Sequence, residues 1–142
     1  MLTYEQLDWI ADAYTPLLAL TVFYSIFKTW QEKNKRRVIN QVTSLILGML
    51  VVYGIYFLDG SYRIWLNWDL DYSTHTAFAL VFVIHYAAFC RNYVWLQLSL
   101  FTGYLLLMVY QNYHSFADIL TTGFMVGVLF FVLIFRLSRK SN

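Results

Sequence analysis

The chain has 142 residues, of which 60% are hydrophobic and only 13% charged, with a formal net charge of +2. With a mean hydropathy of +0.54, this composition excludes an ordinary soluble domain. It leaves no room for a soluble region, so residues 1–142 read as one membrane domain, and no nucleic-acid partner or cofactor is expected.

Residues 1–13 are acidic and amphipathic, with neither a basic flank nor a cleavage site. The expectation is a short helix at the membrane interface, not a removable signal peptide. Pro16 marks its boundary with the first span. Apolar runs follow at Tyr14–Trp30, Val38–Leu58, Ser73–Cys90, Tyr93–Asn112 and Ser115–Phe135. Each has about the 17–25 residues that cross a hydrocarbon core as a helix. The runs are continuously apolar and do not alternate, so the predicted fold is an all-α bundle of about five transmembrane helices over residues 14–135 and not a barrel. Residues 136–142 form a basic tail. The links at 91–92 and 111–114 are short enough to make spans three, four and five antiparallel neighbours in one compact bundle. The longer 59–72 link carries Tyr62, Trp65, Trp68 and Tyr72 and suits an interfacial helix that rims or covers the membrane face.

Five spans place the link at 31–37, Arg91 and the tail on one side. Nine of the ten Lys and Arg residues then share that side, and Arg63 alone lies opposite. By the positive-inside rule the basic side is cytoplasmic, the amino terminus is outside and the carboxyl terminus is cytoplasmic. Seven of the eight acidic residues fall on or near the outer side. The expected location is the plasma (inner) membrane, with any outer-face site on the non-cytoplasmic side. Cys90 is the single cysteine, so no disulfide can form within the chain.

Two spans open with a histidine on that outer side. The third begins Asp71-Tyr-Ser-Thr-His75-Thr-Ala-Phe and the fifth follows Tyr113-His114-Ser-Phe-Ala-Asp118-Ile. His114 and Asp118 are four residues apart and share one helix face. A carboxylate that accepts the proton of one imidazole nitrogen leaves the other nitrogen free to attack. His75 suits an acid that protonates a leaving oxygen. The plainer alternatives are an interfacial His114 with Asp118 reaching to water, and a solvated His75 behind a helix cap at Ser73 or Thr74. His85 lies ten residues beyond His75, turned off its face, and reads as an interhelical hydrogen-bonding residue. Gly123 and Gly127 form a Gly-x-x-x-Gly step, read first as close packing inside the bundle and second as a homo-oligomer contact.

These segments resemble the type 2 phosphatidic acid phosphatase superfamily, which includes the sphingomyelin synthases. Ser73-Thr-His75-Thr is similar to that superfamily's Ser-Gly-His-Thr segment, and His114-Ser-Phe-Ala-Asp118-Ile to its His-x-x-x-Asp-Val/Ile segment. The resemblance covers roughly residues 59–127. It implies His114 as nucleophile, Asp118 as its orienting partner and His75 as acid and base. Tyr62-Arg63 is similar to a Tyr-Arg pair in the sphingomyelin synthase branch. The chain departs from the pattern at Thr74, which replaces the motif glycine, and at Met108, where the phosphatase branch has arginine. One span fewer is present than in the family.

The function expected is a phosphatase or phosphotransferase for a membrane lipid with a phosphate-containing headgroup, acting through a phosphohistidine at the outer face. Arg63, Thr76 and Ser73 are the expected substrate contacts. Two alternatives stand beside it. One is a non-catalytic bundle that binds lipid or a membrane partner. The other is a metal site drawn from Asp69, Asp71, His75, His114 and Asp118, whose ligand types suit a divalent ion.

Overall fold

The computed structural model describes residues 3–90 and 92–139, so Met1, Leu2, Arg91 and Lys140–Asn142 lie outside the described residues, as do the side chains of 136–139. The chain is all-α: α1 (Tyr4–Gln31), α2 (Lys35–Tyr62), α3 (Thr74–Cys90), α4 (Val94–Tyr110) and α5 (Phe116–Arg139), with one 3₁₀ turn at Leu66–Trp68. By length and composition, α1, α2 and Phe116–Phe135 of α5 can each cross a membrane. The apolar helices α3 and α4 have 17 residues each, about 25 Å of rise, a little short of a typical hydrocarbon core of about 30 Å.

Residues 4–13 are the first turns of α1, not a separate short helix. A capping box starts them: Gln6 N–H donates to Thr3 Oγ1 and Thr3 N–H donates to Gln6 Oε1. The helix runs through Pro16 despite the lost backbone bond, because both of its halves are anchored. Ala11 packs with Tyr104 and Met108, and Leu18 and Val22 pack with Phe82 and Val83.

Helix α3 is the centre of the bundle and touches all four others. Helix α4 rests on α1 and α3, whereas α5 rests on α2 and α3. The expected three-way packing of spans three, four and five is therefore corrected. A short link brings helix ends together but does not oblige helix faces to pack, and α4 and α5 use different faces of α3.

The starts of α1, α3 and α5 and the ends of α2 and α4 share one end of the bundle. Tyr4 Oη donates to the Gln111 carbonyl at 2.8 Å, and Tyr72 Oη to the Val52 carbonyl at 3.1 Å. At the opposite end Arg37 Nη2 donates to the Phe89 carbonyl, and Ser25 Oγ lies 2.7 Å from Cys90 Sγ. Exposed Trp9, Tyr62, Trp68 and Tyr110 ring the first end, and Trp30, Tyr93 and Trp95 the second. Two such girdles are the pattern of side chains at the two interfaces of a bilayer.

His85 is fully buried, and its Nδ1 meets Ser44 Oγ of α2 at 2.9 Å, the interhelical role its mid-span position suggests. The glycine step behaves differently from expectation. A Cβ on Gly123 would meet nothing within 4 Å, and one on Gly127 would meet Leu80 at ordinary contact distance. Tight packing occurs instead at Gly48, where a Cβ would overlap Val81 and come 3.1 Å from Phe130. Gly48→Val should therefore destabilise the bundle by about 1–3 kcal/mol through overpacking. Gly123→Ala should be neutral or stabilising, because a helical glycine costs roughly 0.5–1 kcal/mol relative to alanine. Thermal unfolding of the two variants in detergent checks the contrast, and equal midpoints would contradict it.

Candidate active site at the amino-terminal ends of α3 and α5

The site is built around one carboxylate. Asp118 sits in the first turn of α5, where Ser115 N–H donates to its Oδ2 at 2.7 Å and Asp118 N–H donates back to Ser115 Oγ at 3.1 Å. This reciprocal pair satisfies two orphan amides of the helix start, and the negative charge suits the positive end of the helix dipole. The second oxygen, Oδ1, accepts from Asp71 N–H at 2.8 Å. Asp118 thus ties the segment that enters α3 to the start of α5.

Two threonines complete the tie. Thr122 Oγ1 accepts from Ser73 N–H at 3.1 Å, and Thr121 Oγ1 accepts from Trp65 Nε1 at 2.9 Å. Trp65 is buried although it lies in a link. It packs edge-on against Tyr72 with ring centroids 5.0 Å apart, and its backbone N–H donates to Asp59 Oδ1 at 2.8 Å. Residues 63–73 therefore fold over the bundle end as a fixed strap, in place of the interfacial helix expected for this link.

His114 occupies the α4–α5 link beside this strap, with its side chain only 11% exposed. Its Nδ1 lies 3.7 Å from Asp71 Oδ2, longer than a hydrogen bond, and has no hydrogen-bond partner. The carboxylate beside the ring is thus Asp71, whereas both oxygens of Asp118 hold backbone amides. Burial pushes the His114 pKa below its ordinary 6.5, Asp71 and Asp118 oppose that shift, and the charge of His75 adds to it. His75, the second residue of α3, lies at the same end with its side chain exposed.

Because the folded pKa is lowered, the folded state binds fewer protons than the unfolded one just below pH 6.5. Stability from this group is full above that pH and declines as pH falls towards the folded pKa. Asp71→Asn should lower the His114 pKa further, whereas His75→Gln should raise it. Histidine ring resonances followed by NMR in micelles check this, and shifts of the same sign in both variants would contradict the arrangement.

Ser73 and Thr76 are buried and occupied with each other. Ser73 Oγ donates to Thr76 Oγ1 at 2.8 Å and accepts from Thr76 N–H at 3.3 Å, which makes Ser73 the cap of α3. Arg63 ends α2 in the left-handed region (φ 53°), with its exposed side chain in no ion pair among the described residues. The metal alternative is not assembled. Among the described residues no three His, Cys, Asp or Glu side chains gather as a metal-ligand group. Asp118 turns both oxygens to amides, and Asp71 points one oxygen at His114 with its side chain 76% exposed.

Asp59, Trp65, Ser115, Thr121 and Thr122, which hold the site, are absent from the sequence-based site. One of them was readable: Ser115-Phe-Ala-Asp118 has the spacing of a capping box. No signal marks Thr121 or Thr122, since their partners are 56 and 49 residues away. Comparison with protein-family models, curated proteins and solved structures gives no match to this chain.

Proposed function

We propose that this protein is an integral membrane phosphatase or phosphotransferase for a lipid phosphate, with His114 as the nucleophile. The observation that carries the reading is His114 itself: a largely buried imidazole whose unpartnered Nδ1 faces Asp71, with His75 at the same end. A lowered pKa keeps the ring neutral near pH 7, which attack requires. The Asp71 carboxylate, 3.7 Å from Nδ1, favours the proton on that nitrogen by charge, so Nε2 attacks phosphorus as the bond to the lipid oxygen breaks. His75, as imidazolium, gives that oxygen its proton. Water or an acceptor hydroxyl then attacks phosphorus, the N–P bond breaks to return neutral His114, and His75 takes up the attacking group's proton. Asp118 acts one step removed, by fixing the backbone of Asp71. Arg63 and the free amides of the first turn of α5 are the candidates for neutralising the phosphate oxygens. Lys28, Lys33, Lys35, Arg36 and Arg37 lie at the far end of the bundle, which by the positive-inside rule sets the site on the non-cytoplasmic side of the plasma membrane.

A second reading is a non-catalytic lipid- or partner-binding bundle. It is favoured by the commitment of Asp118 and Ser73 to helix caps, and by seven acids against one arginine at this end. Phosphate release from phosphatidic acid, a polyprenyl phosphate and a sphingolipid phosphate separates the two. Release abolished by His114→Ala supports the enzyme, and no release from any of them by folded protein supports the binding bundle.

A further inference from the structure

At the opposite end of the bundle a cavity of about 720 Å³ opens between the second half of α1, the end of α3 with Asn92 and Tyr93 after it, and Arg37 in the first turn of α2. Its volume is within the roughly 300–1,000 Å³ typical of small-molecule sites. The wall is apolar and aromatic, with Leu17, Leu20, Tyr24, Tyr86 and Phe89, and the mouth carries Lys28 and Arg37.

Arg37 is held in place. One guanidinium nitrogen donates to the Phe89 carbonyl at the last turn of α3, which leaves further N–H donors of its planar fork uncommitted. Lys28 is exposed at the end of α1. Glu32 lines the same mouth, yet among the described residues neither cation forms an ion pair. The groove therefore presents two cations and one carboxylate, a net charge of +1, beside an apolar channel, at the end of the molecule where Lys33, Lys35 and Arg36 also lie. In a bilayer its apolar wall favours an acyl chain over water, and basic pockets between membrane helices attract anionic headgroups.

The geometry points to a binding site for one anionic glycerophospholipid, its phosphate on Lys28 and Arg37 and an acyl chain along Leu17, Leu20 and Phe89. The ligand comes from the leaflet at the basic end. The site requires only that the helices cross a membrane, and is independent of the chemistry at the other end.

Native mass spectrometry of the purified chain in neutral detergent tests it, with phosphatidylglycerol, phosphatidylcholine and glycerol 3-phosphate as probes. Phosphatidylglycerol should be retained over phosphatidylcholine, and Lys28→Gln should weaken its retention about fivefold, the effect of about one interfacial cation. Lys33→Gln, outside the groove, should leave retention unchanged. Leu20→Trp keeps every charge and fills the channel, and it should displace phosphatidylglycerol. Equal losses in Lys28→Gln and Lys33→Gln would reduce the effect to diffuse attraction and overturn the site. So would full retention in Leu20→Trp, absence of a preference over phosphatidylcholine, or equal competition by glycerol 3-phosphate.

Discussion

His114→Ala is expected to lower lipid-phosphate turnover by at least about a thousandfold while leaving the fold intact. The size follows from the proposed chemistry, because loss of a covalent nucleophile removes the pathway itself and leaves only residual transition-state binding. Little stability should go with it, since the ring makes no hydrogen bond at Nδ1 and its nearest charged partner is 3.7 Å away. His75→Gln should cost less, about a hundredfold to ten thousandfold, the usual contribution of a general acid and base. Its effect should also depend on the leaving group, shrinking for a lipid whose oxygen needs no proton. Arg63→Ala should cost on the order of 2–4 kcal/mol in transition-state stabilisation if its exposed side chain meets the phosphate. Near-normal turnover in His114→Ala, with thermal stability unchanged, would shift the weight to the binding-bundle reading.

Asp118→Ala should have the largest structural effect of any single substitution at this end. Three observations set the magnitude. Both carboxylate oxygens accept backbone amides, at 2.8 and 2.7 Å, and the residue is 7% exposed. Hydrogen bonds to a charged group contribute about 1.5–3 kcal/mol each, and their loss leaves amide donors without acceptors. The helix start also loses its negative charge. A destabilisation of about 3–5 kcal/mol is expected, read as thermal unfolding in detergent. Asp118→Asn keeps one acceptor oxygen and should fall between the two. The strap at 63–73 should become open to limited proteolysis in Asp118→Ala, because Asp71 is released from α5. Turnover should fall in parallel with that release, since Asp118 positions Asp71 and does not touch the ring. An unchanged unfolding midpoint would show that the two amides find other acceptors and would remove Asp118 as the organiser of the site.

Much of the fold was legible because its determinants are local. Continuous apolar runs, the basic link at 31–37 and the cap at Ser73 act within a few residues of one another. Pro16 misled, because the tertiary anchors at Ala11 and Leu18 outweigh a single lost backbone bond. Gly48 was overlooked for the converse reason: its meaning lies in Val81 and Phe130, 33 and 82 positions away. At the site, the sequence put His75, His114 and Asp118 at one end of the molecule and set Asp118 against His114, whereas the carboxylate within 4 Å of the ring is that of Asp71. A spacing of four on one helix suggests contact between side chains. His114, however, precedes α5 and lies in the link, so the helical spacing does not apply to it. Asp118 meets the amides of Ser115 and Asp71 instead, and Asp71 is brought to the ring by a strap whose anchors are long-range.

The central claim is tested most directly by trapping the intermediate. Purified protein is mixed with radiolabelled phosphatidic acid, polyprenyl phosphate or sphingolipid phosphate, quenched in alkali within the first turnover, and digested for peptide mapping. The prediction is an alkali-stable, acid-labile phosphate on the peptide that contains His114, absent from His114→Ala. Lipid turnover without label on that peptide, or equal label in His114→Ala, would contradict it.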